Sequence, residues 1–120
     1  MLKMEKKILD NNLQYFKGTI EKIVEEIDFK GRPHEMLLIA DLYKQSSSKK
    51  PFADYALINR NKTTEFLFEL VASGAGQQSV SFLAKIIEYR NVRLYDGLKF
   101  ISYEKYCKLG YLKELYVQFN

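Results

Sequence analysis

The stretch over residues 52 to 91 constrains the fold most, because it reads as strand, helix and strand in succession. Residues 52 to 60 form a short aromatic and aliphatic run, which is typical of a β-strand. Asn61 or Thr63 is placed to cap a helix directly after this strand. The apolar residues that share one face of the predicted helix are Phe66, Leu67, Leu70 and Val71.

The helix is predicted to end at Gly74, because glycine adopts the left-handed conformation after a helix at little cost. Residues 79 to 90 then alternate with a period of two, as a strand does. Val80, Phe82, Ala84 and Ile86 fall on one side of it, and Leu83, Ile87 and Tyr89 fall on the other. A single helix between the third and fourth strands of a mainly β chain predicts an OB-fold, the five-stranded Greek-key barrel.

Two interpretations compete for residues 13 to 29. The spacing of Ile20, Ile23, Val24 and Ile27 fits one face of an amphipathic helix. Gly18, Thr19 and the β-branched residues favour a strand instead, and a turn signal follows at residues 30 to 33. A long strand that is bent by a bulge or by Gly18 would show the same broken alternation, and we adopt this interpretation.

Residues 34 to 44 predict a second strand with apolar side chains on both faces, which implies cover on both sides or a face that meets a partner. A basic serine loop follows at residues 45 to 51. Asp96 and Gly97 predict a hairpin that joins the fourth strand to a fifth strand over residues 98 to 106.

The ends of the chain are expected to lie outside the barrel of this single domain, which spans residues 1 to 120. Residues 1 to 11 are predicted to form a loose N-terminal arm, and residues 111 to 120 an extra C-terminal strand or oligomer arm. The alternating apolar face of the C-terminal segment consists of Tyr111, Leu115, Val117 and Phe119. Such a strand is an aggregation hazard when exposed, so we expect it to be covered either by its own barrel or by a second copy. We favour the second copy, in a homodimer or a higher homo-oligomer.

Composition limits the function classes. The net charge of +4 and the pI near 9.1 permit a nucleic-acid partner without requiring one. One cysteine, Cys107, cannot form an internal disulfide, and with His34 as the only histidine we expect neither a His/Cys zinc site nor a cofactor. No apolar run approaches the ~20 residues that span a bilayer. We expect a soluble, cytoplasmic protein that contacts no membrane.

Catalytic constellations are not recognisable in the sequence. Glu25, Glu26 and Asp28 form an acidic cluster that is better explained as a solvated strand end. His34 follows a proline in a predicted turn, and Cys107 has no activating neighbour motif. We therefore expect that the protein is not an enzyme.

Four features together resemble the single-stranded DNA-binding proteins of bacteria and their phages. They are an opening strand at residues 12 to 20, an apolar strand at residues 35 to 42, a strand at residues 54 to 60 that runs into the helix, and the Asp96–Gly97 hairpin. The resemblance covers about residues 12 to 106 and is nearest to a small, lysine-rich phage-type member. It implies an OB-fold that binds single strands in DNA replication or recombination, with host cytoplasm as the setting.

The chain departs from the bacterial pattern at its end, because residues 115 to 120 carry no acidic tip. Recruitment of replication or recombination proteins through such a tip is therefore not implied.

A barrel that binds single strands needs a positive groove for phosphates and exposed rings on which bases stack. Such grooves form at the loops after the first and fourth strands and on the face of the second and third. The predicted nucleic-acid-binding residues are Lys30, Arg32, Tyr43, Lys49, Lys50, Phe52, Tyr55, Arg60, Tyr89, Arg90, Arg93, Tyr95 and Lys99. For each ring, the alternative is that the side chain belongs to the core.

Sequence-tolerant binding of single-stranded DNA is therefore the leading hypothesis. The alternative is a protein–protein interaction module on an OB-like fold, for example a phage inhibitor or an assembly factor. It rests on the two-sided apolar second strand and on the aromatic C-terminal segment.

Overall fold

The computed structural model describes residues 13–44, 49–74, 77–89, 93–102 and 106–119, so the predicted arm over residues 1 to 11 lies outside the described residues. The elements are β1 (Gln14–Ile27), β2 (Pro33–Lys44), β3 (Ala53–Asn59), α1 (Glu65–Ala72), β4 (Ser79–Tyr89), β5 (Arg93–Tyr95), β6 (Phe100–Ser102) and β7 (Cys107–Gln118). Among these elements, no helix has the length and apolar character that a membrane span requires.

Five of the strands close into a barrel. β1 pairs with β2, and β2 with β3, both antiparallel, while β3 pairs with β7 in the parallel sense. β7 pairs antiparallel with β4, and β4 returns antiparallel to β1. This strand order, with α1 between β3 and β4, confirms the predicted OB-like, mainly β fold.

The barrel interior is filled by alternate residues of its strands, because successive side chains of a strand point to opposite faces. Its fully buried large side chains include Phe16, Ile20, Ile39, Ile58 and Phe82. Leu67 and Phe68 of α1 are buried in the same cluster. The helix therefore shares the barrel's hydrophobic core.

The buried face of α1 differs from the predicted one, since Phe66 is 43% exposed and Phe68 is buried. Three consecutive apolar residues in an eight-residue helix leave the periodicity ambiguous. The start of the helix resolves it: the Asn61 side chain accepts bonds from the Thr63 and Thr64 amides, and the Thr64 hydroxyl donates to the Asn59 carbonyl. Thr64, rather than Asn61 or Thr63, then occupies the N-cap position.

The first strand is bent, as predicted. Between Lys17 and Thr19 the register with β2 shifts, because Lys17 pairs with Tyr43 whereas Thr19 pairs with Ala40. One extra residue in β2 forms a bulge, so that Asp41 and Leu42 lie opposite Gly18, and Asp41 has a φ of 51°. A Cβ atom at residue 18 would overlap the Ile39 side chain and lie 3.2 Å from the Ala40 carbonyl oxygen. Glycine is therefore required at this close approach of the two paired strands.

A second hydrophobic cluster covers the outer face of β2 and β3. Its buried members are Val24, Met36, Leu38, Leu57, Leu94 and Tyr106. Leu94 belongs to β5 and Tyr106 precedes β7, so the segment between β4 and β7 supplies the cover. The apolar residues on both faces of β2 are thus explained by burial on both sides.

The strand that closes the barrel is not the predicted one. Residues 93 to 102 form a separate β5–β6 hairpin, in which β5 pairs with the end of β1 at Glu25 and Glu26. β7 takes the fifth position of the barrel instead, through β3 and β4. The predicted C-terminal segment is therefore largely a part of the barrel, and the β5–β6 hairpin is the addition to it.

Alternation along β7 is interrupted, which explains why its pattern misleads. Tyr111 and Glu114 both have positive φ angles, of 54° and 51°, and the register with β4 shifts beside them. Leu115 and Val117 pack against the barrel core, whereas Tyr111 and Phe119 are exposed. The four residues predicted to form one apolar face are thus divided between the core and the surface.

We predict that Gly18→Ala destabilises the fold by about 1–3 kcal/mol, because the buried Ile39 side chain and the β2 backbone cannot move away. Gly110→Ala is the matched control: its Cβ would meet the Ile87 side chain, which is half exposed and free to rotate. Urea unfolding followed by circular dichroism measures both variants. Equal stability of the two variants would contradict the proposed constraint at residue 18.

Candidate nucleic-acid interface

Nine of the thirteen predicted binding residues fall into two groups at opposite ends of β2. This strand has 12 residues and spans about 36 Å at ~3.3 Å per step. At the turn between β1 and β2, the structure brings together Lys30, Arg32, Arg93, Tyr95 and Lys99. At the other end lie Tyr43, Lys49, Lys50 and Phe52. Tyr89 ends β4, and Arg90 lies outside the described residues.

The pairing of β5 with β1 creates the first group. Tyr95 lies opposite Glu25, and Leu94 lies opposite Glu26, two residues before the turn that carries Lys30. We call the resulting surface the hairpin rim; it consists of Phe29, Lys30, Arg32, Arg93, Tyr95, Leu98, Lys99 and Phe100. Its four cations are all exposed.

Three apolar side chains of the hairpin rim were missed by the sequence interpretation. Phe29 is 94% exposed, Leu98 is 90% exposed and Phe100 is 58% exposed. Phe100 pairs with Tyr95 across the hairpin, so its position follows once the Asp96–Gly97 turn is accepted. The Asp96–Gly97 signal could therefore have predicted that Phe100 lies beside Tyr95. Nothing in the sequence distinguishes Phe29 from a core residue.

Rings and cations alternate at the hairpin rim. The Arg93 guanidinium carbon lies 4.9 Å from the centroid of the Phe100 ring, and the Tyr95 and Phe100 centroids are 5.2 Å apart. The Lys30 Nζ lies 5.7 Å from the Phe29 ring centroid. These contacts place exposed cations beside exposed rings, which are the two groups that flat bases and phosphates bind.

Asp28 organises the β1–β2 turn. Its Oδ1 accepts hydrogen bonds from the Lys30 amide at 2.9 Å and the Arg32 amide at 2.8 Å. Its Oδ2 lies 2.9 Å from Nε2 of His34. The hydrogen bond with His34, followed by the bond from the Arg32 amide, lowers the pKa of Asp28. His34 therefore contributes to the turn.

Asp96 organises the tip of the β5–β6 hairpin in the same way. Its Oδ1 accepts from the Leu98 amide at 2.9 Å and the Lys99 amide at 3.0 Å, and its Oδ2 lies 3.2 Å from the Lys22 Nζ. These bonds, with the Lys99 amide foremost, lower the pKa of Asp96 to about 2. The carboxylate therefore stays ionised and holds the hairpin against β1.

The outer face of β2 and β3 is largely closed to a ligand. Met36, Leu38 and Leu57 are fully buried there beneath Leu94 and Tyr106. The predicted ring of Tyr55 is half-buried against the same cluster. This closed face therefore offers no groove to a strand, whereas the hairpin rim beside it is exposed.

Arg60 is engaged by other protein groups. Its guanidinium donates to both carboxylate oxygens of Glu65, at 2.8 and 2.6 Å, and to Glu35 at 2.7 Å. These bonds, chiefly those to Glu65, raise the pKa of Arg60. The guanidinium carbon also lies 5.3 Å from the Phe68 ring centroid. Arg60 therefore orders the entry to α1 and is poorly placed to bind phosphate.

The second group, at the other end of β2, also contains both exposed and partly buried side chains. The Phe52 ring is half-buried, with its centroid 5.9 Å from that of Phe16 and 4.1 Å from the Lys44 Nζ. Lys49 and Lys50 are exposed. Tyr43 lines a cleft on the outer face of β1. Phe52 thus contributes to the core more than to a stacking surface.

We predict that the hairpin loosens as the pH falls from about 4 towards 2. The folded pKa of Asp96 lies below its ordinary value of 3.8, so its stabilisation is complete above that value and disappears as the carboxylate is protonated. Amide exchange of Leu98 and Lys99 measures the loss. Asp96→Asn retains the Oδ1 acceptor and should remove the pH dependence, whereas Asp96→Ala should loosen the hairpin at neutral pH. A hairpin that titrates alike in the wild-type protein and in Asp96→Asn would refute this role.

Comparison with known proteins adds no identification. No protein-family model matches the chain, and neither a curated protein nor a solved structure matches it. In the ranges that the structure describes, no group of three His, Cys, Asp or Glu side chains could hold a metal ion. The similarity to single-stranded DNA-binding proteins rests on the residues quoted for it and stays a prediction.

Proposed function

We propose that the protein binds single-stranded DNA at the hairpin rim, with tolerance for base sequence. The observation that carries the proposal is the exposed Phe100 ring, which contacts both the Arg93 guanidinium and the Tyr95 ring. This ring stands where OB-folds bind strands, at the end formed by the loops after the first and fourth barrel strands.

Bases stack on the Phe29 and Phe100 rings, and each stacked base contributes about 1–3 kcal/mol. The phosphates that flank these bases bind the exposed cations Lys30, Arg32 and Arg93. Every base presents an aromatic face, so this mode selects for a single strand without selecting a sequence. Coverage of exposed strands during replication or recombination, in a phage or its bacterial host, is the corresponding biological role.

A protein–protein module remains the second candidate, and Leu98 favours it. An aliphatic side chain that is 90% exposed at a hairpin tip offers nothing to a phosphate and fits an apolar partner surface. The homodimer also stays a prediction. The exposed Tyr111 and Phe119 rings on and after β7 are the surface that a second copy would cover.

We predict that a labelled oligothymidylate binds at low salt and that a duplex of the same length binds far more weakly, because its bases cannot stack. Affinity should fall with salt with a logarithmic slope of about −0.7 for each phosphate that is neutralised. Fluorescence anisotropy measures both. Equal affinity for the two DNA forms argues against stacking, and no binding of either favours the protein–protein module.

We predict that Phe100→Ala lowers the affinity by about 5- to 150-fold for every base sequence, the equivalent of one lost stack. Arg93→Ala should reduce the salt slope by about 0.7. Phe66→Ala and Lys62→Ala are the matched controls, because both side chains are exposed near α1 and lie outside the hairpin rim. All variants should keep the thermal stability of the parent. If the control variants lose as much affinity as the rim variants, the rim is not the binding surface.

A further inference from the structure

A concave surface lies on the outer face of the barrel, away from the hairpin rim. It is a cleft of about 920 Å³ that we call the β1 cleft, and its lining includes Tyr15, Lys17, Tyr43, Ser81 and Tyr116. Lys17 lies eight residues before Glu25, the β1 residue that meets the hairpin, which is about 26 Å along the strand. The two surfaces therefore do not share residues.

The register of four strands builds the cleft. Tyr43, Lys17, Ser81 and Tyr116 are successive partners across β2, β1, β4 and β7, so their side chains project from the same face of the sheet. Tyr43 on β2 and Tyr116 on β7 are about 14 Å apart, which is three strand spacings. The shorter side chain of Ser81 lies between them on β4. The result is a trough with an aromatic wall on each side.

The next row of the sheet makes the floor polar. Thr19, Ser79 and Gln118 are successive partners across β1, β4 and β7, and all three line the cleft. They present two hydroxyl groups and one amide beside the Lys17 ammonium. The floor can therefore both donate and accept hydrogen bonds.

The charge of the lining is slightly positive, with Lys17 and Lys44 against Asp41. Within the described part of the chain, Lys17 forms no ion pair, so its ammonium is available to an anion. Tyr15 is fixed at one edge by a hydrogen bond from its hydroxyl to the Glu114 carboxylate. Rings on two walls and a free cation between them suit a ligand that is both flat and anionic.

We propose that the β1 cleft is a second binding site, for a nucleotide unit whose base stacks on Tyr116 or Tyr43 and whose phosphate meets Lys17. A neutral sugar would leave the ammonium unused, and a peptide would not require aromatic walls. The nucleotide is either free or part of a single strand. The inference does not depend on the hairpin rim, because none of the rim residues lines the cleft.

The test is an amide NMR titration of the full chain with thymidine monophosphate, with thymidine, and with a short oligothymidylate. We expect the amide signals of Lys17, Ser81 and Tyr116 to shift with the monophosphate. The nucleoside should bind about two- to fivefold more weakly, because it lacks the partner of an exposed lysine. In Phe100→Ala, whose hairpin rim is weakened, an oligothymidylate that shifts these cleft amides at a far lower concentration than the monophosphate identifies a strand as the source. Equal affinities at the cleft amides identify a free nucleotide.

Variants of matched exposure make the test specific. Tyr116→Ala should weaken binding at least about fivefold, whereas Tyr111→Ala should not, although the two tyrosines lie on the same strand and are 71% and 69% exposed. Lys17→Ala should abolish the preference for the phosphate, and Lys113→Ala should preserve it. Thermal denaturation shows whether each variant is folded. If a tyrosine variant does not fold, the comparison of Lys17→Ala with Lys113→Ala still tests the proposal.

Two results would overturn the proposal: no shift of the cleft amides at millimolar monophosphate and oligonucleotide, or shifts that persist undiminished in folded Tyr116→Ala and Lys17→Ala. Phe100→Ala should leave the cleft shifts unchanged. A loss of long-strand binding in Phe100→Ala therefore tests the hairpin rim separately, and either site can fail without the other.

Discussion

The close approach of β1 to β2 at Gly18 is the constraint on which the rest of the structure depends. β1 pairs with β2 along most of its length, with β4 over its first half and with β5 near its end. One edge of β1 pairs with β2, and the other edge pairs first with β4 and then with β5. The register with β2 shifts where Gly18 lies against Ile39 and the β2 backbone. The first half of β1 then closes the barrel, and its second half leaves the barrel to support the β5–β6 hairpin.

That division of β1 also separates the two candidate binding surfaces. The half that carries Lys17 forms the floor of the β1 cleft, whereas the half that carries Glu25 and Lys22 anchors the hairpin rim through β5 and Asp96. Between them, the outer face of β2 is buried under the second hydrophobic cluster. Burial there stabilises the hairpin, and the two surfaces left for a ligand are the ring-bearing edge of that hairpin and the β1 cleft at the other end of β1.

The cations also divide into those that stabilise the fold and those that are exposed. Arg60 is held by Glu35 and Glu65, and Lys22 by Asp96, so these cations stabilise the turns around the sheet. Arg93 lies on an exposed ring, and Lys17 faces an open cleft. The modest net charge of +4 is therefore less informative than the distribution of cations between protein partners and exposed rings.

The sequence alone determined the elements whose signals are local. The helix end at Gly74, with a φ of 88°, the turn at Asp96 and Gly97, and the bent first strand follow from the preferences of a few neighbouring residues. The mainly β class and the OB-like order of strand, helix and strand were predictable for the same reason.

Only the tertiary structure decided which segments meet. The positive φ angles of Tyr111 and Glu114 reset the alternation of β7, so its role as the closing strand could not be derived from a period of two. The exposure of Phe100, the engagement of Arg60 by two carboxylates and the row from Tyr43 to Tyr116 all depend on pairings between distant strands. Local sequence sets which side chains alternate along a strand, but the register between strands sets which of them share a surface.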